Sequence, residues 1–199
     1  MKLTWVQAAE AAPLLAATAG AVVMLVSAIG VGQAAEHDRA ADVDGARIAN
    51  AERDAANWLS YGRTYSEQRF SPLSKINSDN AKQLGLAWYG DLDTNRGQEA
   101  TPLVIDGVMY VSTAWSMVKA YNAATGKLLW SYDPEVPREY GVKACCDVVN
   151  RGVAAWQGKI YVGTLDGRLV ALDARTGKAL WSVVTGDQTK AFTITQAPA

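Results

Sequence analysis

The residues of this sequence that could do chemistry centre on one pair of adjacent cysteines. Cys145 and Cys146 are the only two cysteines in 199 residues. Neighbouring Cα atoms lie about 3.8 Å apart, which is below the roughly 4.4–6.8 Å usual across a disulfide. A bond between them would close a strained ring that hardly constrains the unfolded chain, so it would serve local shape at a site. The alternative is two free thiols that are adjacent by chance, since buried cysteine is often inert.

Other polar residues carry little information when each is considered alone. Glu99 could be a solvated turn acid, Arg151 a surface cation and Thr195 an ordinary strand residue. The single histidine, His37, and two adjacent cysteines cannot supply the four spread ligands of an ordinary zinc site. A Ser-His-Asp or Cys-His site is not credible either, because His37 lies beside the region where a leader would be processed. A carboxylate site for a hard cation stays open.

Composition indicates a globular β-protein. Hydrophobic residues make up 49% of the chain and charged residues 20%, which excludes a disordered chain. The net charge is −1 and no basic stripe occurs, so a nucleic-acid partner has little electrostatic support. Seven tryptophans and 17 glycines suit a tryptophan-punctuated β-fold better than a helical bundle.

The amino-terminal residues predict export. A charge-free run of small and apolar residues spans 11–32, and residues 1–35 are interpreted as a signal peptide, with an uncleaved membrane-anchor helix as the alternative. Either way the remainder would lie outside the cytoplasm, where an oxidised cysteine pair can persist. Residues 36–56 are expected to form a surface linker or short helix, and residues 57–199 the folded body.

An internal repeat organises the folded body. Residues 107–131 align with 158–182 at a shift of 51, and 12 of the 25 positions are identical. Each copy predicts three antiparallel strands, with a Thr-Gly-Lys turn before the third strand and a tryptophan at its end. The residues 84–91, with Trp88, are expected to close an earlier unit. Trp88, Trp130 and Trp181 are interpreted as wedges between neighbouring sheets, and the pattern is typical of β-propeller blades.

The repeat resembles the tryptophan-docking unit of quinoprotein dehydrogenases. Further stretches are similar to the methanol and ethanol branch: the segments at 58–62, 68–73, 76–77 and 98–102, the adjacent cysteines, and the arginine at 151. On these residues the chain is identified as a member of the pyrroloquinoline quinone (PQQ)-dependent alcohol dehydrogenases, which are periplasmic eight-bladed propellers. This chain would hold about two to three blades.

The resemblance implies a role for each candidate residue. A Cys145–Cys146 disulfide would cover one face of planar PQQ, Arg151 would pair with a cofactor carboxylate, and Glu99 would hydrogen-bond its edge. Thr195 falls where the family has another cofactor contact, although Gln196 replaces a common glycine. The family oxidises alcohols to aldehydes and passes electrons to cytochrome c or another periplasmic acceptor. Its calcium ligands and catalytic aspartate would lie beyond residue 199.

The chain is therefore expected to be an inactive amino-terminal portion of such an enzyme. It would contact the membrane only if the signal segment at residues 1–35 is not cleaved. The main alternative is a non-catalytic periplasmic propeller scaffold. Scaffolds of that kind are usually lipid-anchored through an early cysteine, and no cysteine precedes Cys145. A sugar-oxidising membrane quinoprotein is a second alternative, but several transmembrane spans would come first.

Overall fold

The computed structural model describes residues 40–92 and 94–199 and the backbone of residues 2–7. Within this part of the chain all strand pairs are antiparallel, and there is one short α-helix. The elements are β1 (Lys2–Gln7), α1 (Gly45–Ala49), β2 (Gly85–Asp91), β3 (Leu103–Ile105), β4 (Val108–Ser112), β5 (Val118–Asn122), β6 (Leu128–Tyr132), β7 (Ala154–Trp156), β8 (Lys159–Gly163), β9 (Arg168–Asp173) and β10 (Ala179–Val184).

Two four-stranded sheets correspond to the two sequence repeats. Their strand orders are β3-β4-β5-β6 and β7-β8-β9-β10, so each sheet is a simple meander. The repeats contain the second, third and fourth strands of each sheet, as their pattern predicts. The first strands, β3 and β7, add a further member to each sheet that the three-strand prediction did not include. A third, two-stranded sheet pairs β1 with β2.

The Thr-Gly-Lys turns are built the same way in both sheets. Asn122 Oδ1 accepts hydrogen bonds from the backbone N–H and hydroxyl of Thr125. Asp173 Oδ1 accepts the equivalent bonds from Thr176, and these lower the pKa of Asp173. Gly126 and Gly177 follow with φ of +71° at both positions. Only glycine adopts this conformation without steric cost, which is why the turn needs it.

The tryptophans dock each unit onto the next. Trp88 Nε1 donates to the carbonyl oxygen of Ala123 at 3.0 Å, and Trp130 Nε1 donates to that of Ala174, also at 3.0 Å. Each indole lies flat against the glycine of the turn that it reaches, so close that a Cβ on Gly177 would lie 2.5 Å from the Trp130 ring. The predicted wedge role is thus what the structure shows for these two tryptophans. The equivalent Trp181 is 41% exposed.

Gly177→Ala is expected to destabilise the protein more than Gly107→Ala. Both glycines have positive φ, so alanine costs about 1–2 kcal/mol of backbone strain at either position. A Cβ at Gly107 meets no atom within 4 Å, whereas at Gly177 it meets the Trp130 ring. Overpacking there adds about 1–3 kcal/mol. Thermal unfolding midpoints of the two variants measure the difference, and equal midpoints would contradict the docking contact.

The segment before the sheets is tied into the core. The carbonyl oxygens of Ala41 and Val43 accept hydrogen bonds from the backbone N–H groups of Gly158 and Gln157, and both side chains are buried. Helix α1 follows, with the Asp44 side chain capping the backbone N–H of Arg47. The stretch 36–56, expected to be a surface linker or short helix, contains this helix in its described part, but Ala41 and Val43 are buried and bonded to the turn between β7 and β8.

The interpretation of residues 1–35 as a signal or anchor helix falls outside the described residues, apart from the backbone of β1. In the part of the chain that the structure describes, no helix is long and apolar enough to cross a membrane.

Candidate functional site

Three segments meet at the ends of the two sheets where β3 and β7 begin. They are the approach to β3 at residues 96–101, the approach to β7 at 145–152, and a segment at 193–197 that follows β10. Thr101 and Gly152 form an isolated parallel bridge between the first two. The third is attached by a hydrogen bond from the Arg151 N–H to the Thr195 carbonyl oxygen at 2.8 Å. The strands thus bring residues that are distant in sequence into one place.

Arg151 lies between the other two predicted contact residues. Its Nη2 is 2.9 Å from Glu99 Oε2, and its Nη1 donates to Thr195 Oγ1 at 2.6 Å. The side chains of Arg151 and Glu99 are 31% and 44% exposed, so the pair is open to solvent on one side. Ion pairs this exposed contribute little to stability. The arrangement therefore presents a guanidinium of fixed direction at the surface, with an acid beside it.

The two cysteines lie at the same site. Both are exposed and both are unbonded thiols in this structure. The pKa of the Cys146 thiol is raised, first by its hydrogen bond with Cys145 and then by the charge of Cys145, while Arg151 lowers it and Glu99 raises it. Cys146 is therefore within electrostatic reach of Arg151 and Glu99. The predicted disulfide stays a prediction.

Asp147 anchors the residues after the cysteine pair. Its Oδ2 accepts a hydrogen bond from the Gly97 N–H at 3.0 Å, and its Oδ1 accepts from Nε of Arg96 at 2.7 Å and also from Nη2 of that residue. The Arg96 guanidinium, together with the backbone N–H groups of Gly97 and Val148, holds the pKa of Asp147 well below its usual range. Asp147 also has a φ of +71°, in the left-handed region.

Asn150 fixes the turn from beneath. This buried amide donates from Nδ2 to the Gly163 carbonyl oxygen at 2.8 Å, and its Oδ1 accepts from the Gly152 N–H at 3.1 Å. The Val148 carbonyl oxygen accepts from the Trp115 N–H at 2.8 Å. Because both amide ends of Asn150 are engaged, the backbone that carries Arg151 is held in one conformation.

The site thus gathers the residues that the sequence nominated. Arg151 contacts both Glu99 and Thr195, and Cys145 and Cys146 lie exposed on the same segment as Arg151. Sequence reasoning missed three supporting residues: Arg96, Asp147 and Asn150. Arg96 and Asp147 are separated by 51 positions, the repeat shift itself, but every aligned pair of the two repeats has that spacing, so it does not single them out.

Two further features bear on the site's chemistry. Among the described residues, no group of three or more His, Cys, Asp or Glu side chains is arranged to hold a metal ion. A separate apolar cavity of ≈ 510 Å³ is lined by Leu59, Tyr61, Tyr65, Trp156 and Tyr161 and the final residues of the chain. The cysteine pair, Glu99 and Arg151 do not line it, so the candidate site is a surface and not this cavity.

A family description and several curated proteins match the chain. The PQQ glucose/ethanol/alcohol dehydrogenase β-propeller domain matches residues 58–185. The dehydrogenase subunit of the alcohol dehydrogenase (quinone) of Komagataeibacter europaeus is 67% identical over 141 residues, which are 71% of this chain and 19% of that protein. A 1-butanol dehydrogenase (cytochrome c) of Thauera butanivorans is 59% identical over 142 residues, 71% of this chain and 20% of that protein. The chain therefore spans about a fifth of the length of these relatives.

A solved structure agrees with the observed fold. The quinohemoprotein alcohol dehydrogenase ADHIIG of Pseudomonas putida HK5 superposes with a TM-score of 0.79 at 56% sequence identity. The match covers 81% of this chain and 24% of that one. The two four-stranded sheets are thus arranged as in a PQQ propeller, and the prediction of propeller blades is confirmed.

Proposed function

Since this chain belongs to the PQQ-dependent glucose/ethanol/alcohol dehydrogenase β-propeller family, we propose that it forms one wall of the PQQ site in an enzyme that oxidises alcohols to aldehydes. Oxidoreductase character follows from its relatives, which are alcohol dehydrogenases. The finer statements are part of the proposal: PQQ at the surface formed by Glu99, Cys145, Cys146, Arg151 and Thr195, calcium as the metal, and a cytochrome as the electron acceptor.

One observation carries the proposal: Arg151 contacts both Glu99 and Thr195, on a segment that also presents an exposed cysteine pair. PQQ is a planar tricarboxylate with an ortho-quinone, and the residues present fit such a ligand. A guanidinium matches a carboxylate through its planar fork of donors, and Thr195 holds the Arg151 fork in place. Two adjacent sulfurs offer a polarisable surface of the kind that suits a flat ring.

The residues of this chain would bind and orient; they would not carry out proton transfer. Arg151 would neutralise a cofactor carboxylate, Glu99 would keep the guanidinium in one direction, and the cysteine pair would exclude water from one face of the ring. When bound, PQQ supplies the oxidising power for removal of hydride from the alcohol carbon. The family's catalytic base and calcium ligands would come from outside these 199 residues. We therefore assign no catalytic role and no metal-binding role to a residue of this chain.

The exposed last sheet supports a larger assembly. Strand β10 is exposed along its whole length, and Leu180, Trp181 and Val184 are between 41% and 54% exposed. Contiguous apolar surface of this kind is unusual on a free protein. A further repeat could cover this apolar surface by placing a Thr-Gly turn against Trp181. The turns at 122–126 and 173–177 cover Trp88 and Trp130 in the same way. We place the whole enzyme in the periplasm, where a Cys145–Cys146 disulfide can persist.

The Cys145→Ala/Cys146→Ala variant tests the proposal in the full-length enzyme. If the pair covers about 60 Å² of the cofactor, its loss at about 25 cal/mol per Å² weakens PQQ binding about tenfold. Titration of the apoprotein with PQQ measures the affinity, and ethanol-dependent reduction of an electron-accepting dye measures the activity. Alkylation followed by mass measurement reports whether the pair is oxidised.

Two outcomes would count against it. A wild-type enzyme that binds no PQQ, or that reduces no acceptor with any primary alcohol once PQQ and calcium are supplied, would overturn the proposed function. Unchanged affinity and turnover in the double variant would remove the cysteine pair from the site while leaving the role of Arg151 standing. The thermal midpoint serves as the control for folding.

A further inference from the structure

The approaches to β3 and β7 run side by side and are tied together at three levels. Thr101 and Gly152 form the bridge nearest the sheets. Glu99 and Arg151 form the middle contact, and Arg96 with Gly97 grips Asp147 at the outer end. The cysteine pair directly precedes Asp147, so the outer tie is the one that lies next to the sulfurs.

The outer tie determines how the chain leaves the cysteine pair. Asp147 shares a peptide bond with Cys146, and its left-handed backbone is sterically unfavourable for a residue with a Cβ. Its carboxylate receives the Arg96 guanidinium on one oxygen and the Gly97 N–H on the other. Both ends of the carboxylate are thus engaged by the segment that also carries Glu99. Movement of the sulfurs relative to Glu99 would break these bonds.

On the premise of the proposed function, we propose that Arg96 and Asp147 are positioning residues of the PQQ site, which hold the Cys145–Cys146 turn in register with Glu99 and Arg151. A planar ligand can contact the sulfurs and Arg151 together only when the two segments keep one relative position. The ion pair supplies that constraint, and neither residue needs to touch the ligand.

The pair is better suited to positioning than to stabilising the fold. The side chains of Arg96 and Asp147 are 47% and 31% exposed, and exposed ion pairs contribute little to stability. If the pair only stabilised the fold, breaking it would therefore change the thermal midpoint little and leave PQQ affinity unchanged. If the pair positions the site, breaking it would lower PQQ affinity and increase the exposure of the two sulfurs.

The chain contains a comparable pair away from the site in Arg47 and Asp106, although Arg47 is more buried than Arg96, at 14% against 47% side-chain exposure, and also pairs with Asp54. This is also a two-pronged arginine–aspartate pair, with an Nη1–Oδ2 distance of 2.9 Å, and it also joins distant segments. Asp106 has a φ of +51°, so it shares the left-handed backbone of Asp147. It lies on the β3–β4 turn, at the other end of β3 from Glu99. Asp106→Asn therefore removes the same chemistry away from the site.

The experiment compares Asp147→Asn, Arg96→Lys and Asp106→Asn in the full-length enzyme. The apparent Kd for PQQ is measured by titrating the apoprotein, and maleimide labelling after mild reduction measures the accessibility of the cysteines. Loss of a charge-assisted contact that orders the site is expected to weaken PQQ binding about 10- to 100-fold in Asp147→Asn. Labelling should be faster in the same variant. Arg96→Lys keeps the charge but not the fork, so its affinity should lie between those of wild type and Asp147→Asn.

Asp106→Asn should bind PQQ as wild type does, with a thermal midpoint close to that of Asp147→Asn. Equal PQQ affinities in Asp147→Asn and Asp106→Asn would overturn the positioning role. If Asp147→Asn does not fold, the Arg96→Lys variant tests the proposal instead. Wild-type PQQ affinity in Arg96→Lys would then overturn the positioning role. Arg151→Ala separates the two proposals, because unchanged PQQ binding in that variant would overturn the proposed function itself.

Discussion

Replacing Arg151 with alanine is expected to weaken PQQ binding by the full-length enzyme by about 3 kcal/mol, or about 100-fold. Arg151 would provide two charge-assisted hydrogen bonds to a cofactor carboxylate, each contributing about 1.5 kcal/mol or more. The variant also leaves Glu99 without the guanidinium 2.9 Å away, so its negative charge then faces the anionic ligand. Titration of the apoprotein with PQQ, followed by tryptophan fluorescence, gives the dissociation constants directly.

Arg151→Lys and Arg53→Ala are the controls. Lysine keeps the positive charge but loses the planar fork, so an intermediate affinity is expected. Arg53 is an exposed arginine on a short 3₁₀ turn after α1, and its loss should leave PQQ binding unchanged. An Arg151→Ala enzyme that binds PQQ as tightly as the Arg53→Ala enzyme would show that this cation does not meet the cofactor.

Trp130→Ala is expected to lower the stability of the propeller by about 3–5 kcal/mol, the range found for large aromatic truncations in packed sites. Trp130 is 9% exposed and packs on Gly177 of the next sheet while its indole donates to Ala174. Its removal opens a void between the two sheets and leaves a buried carbonyl with a weaker partner. Thermal inactivation and loss of tryptophan fluorescence in the full-length enzyme report the change.

Tyr110→Phe separates the void from the hydrogen bond. The Tyr110 hydroxyl donates to the same Ala174 carbonyl oxygen, at 3.3 Å, and the ring stays in place in the variant. Burial raises the pKa of Tyr110, so the hydroxyl is neutral at physiological pH and the bond is an uncharged one. Its loss should cost about 1 kcal/mol. A Trp130→Ala midpoint no lower than that of Tyr110→Phe would refute the wedge role.

Much of the fold could be predicted from the sequence because the duplication presents the same strand and turn residues twice. Strand β9 and its counterpart in the other repeat, β5, are each followed by the same Thr-Gly-Lys turn, and the glycine of that turn marks where φ becomes positive. The first strands could not be found this way. Strands β3 and β7 have three residues each, too few to show an alternating pattern. The burial of Ala41 and Val43 was also hidden, since small residues in an Asp-rich stretch show no apolar period.

The sequence nominated the residues of the candidate site, but it did not indicate the contacts that hold them. Glu99 and Arg151 are nominated by their order around the cysteine pair, and their role at a cofactor stays a prediction. Contacts such as Arg96 with Asp147 depend on how far two neighbouring sheets are offset, and sequence composition does not contain that quantity. Asn150 illustrates the same limit, because an asparagine next to an arginine is unremarkable until its amide is found between Gly163 and Gly152.

The spacing of Arg96 and Asp147 has a consequence for the joint between neighbouring sheets. The two residues are 51 positions apart, which is the shift of the repeat, so they occupy equivalent positions ahead of β3 and β7. Opposite charges at these equivalent positions attract each other across the joint, whereas two like charges there would repel. An insertion that changed this offset would separate the two charges while leaving the strands of each sheet intact.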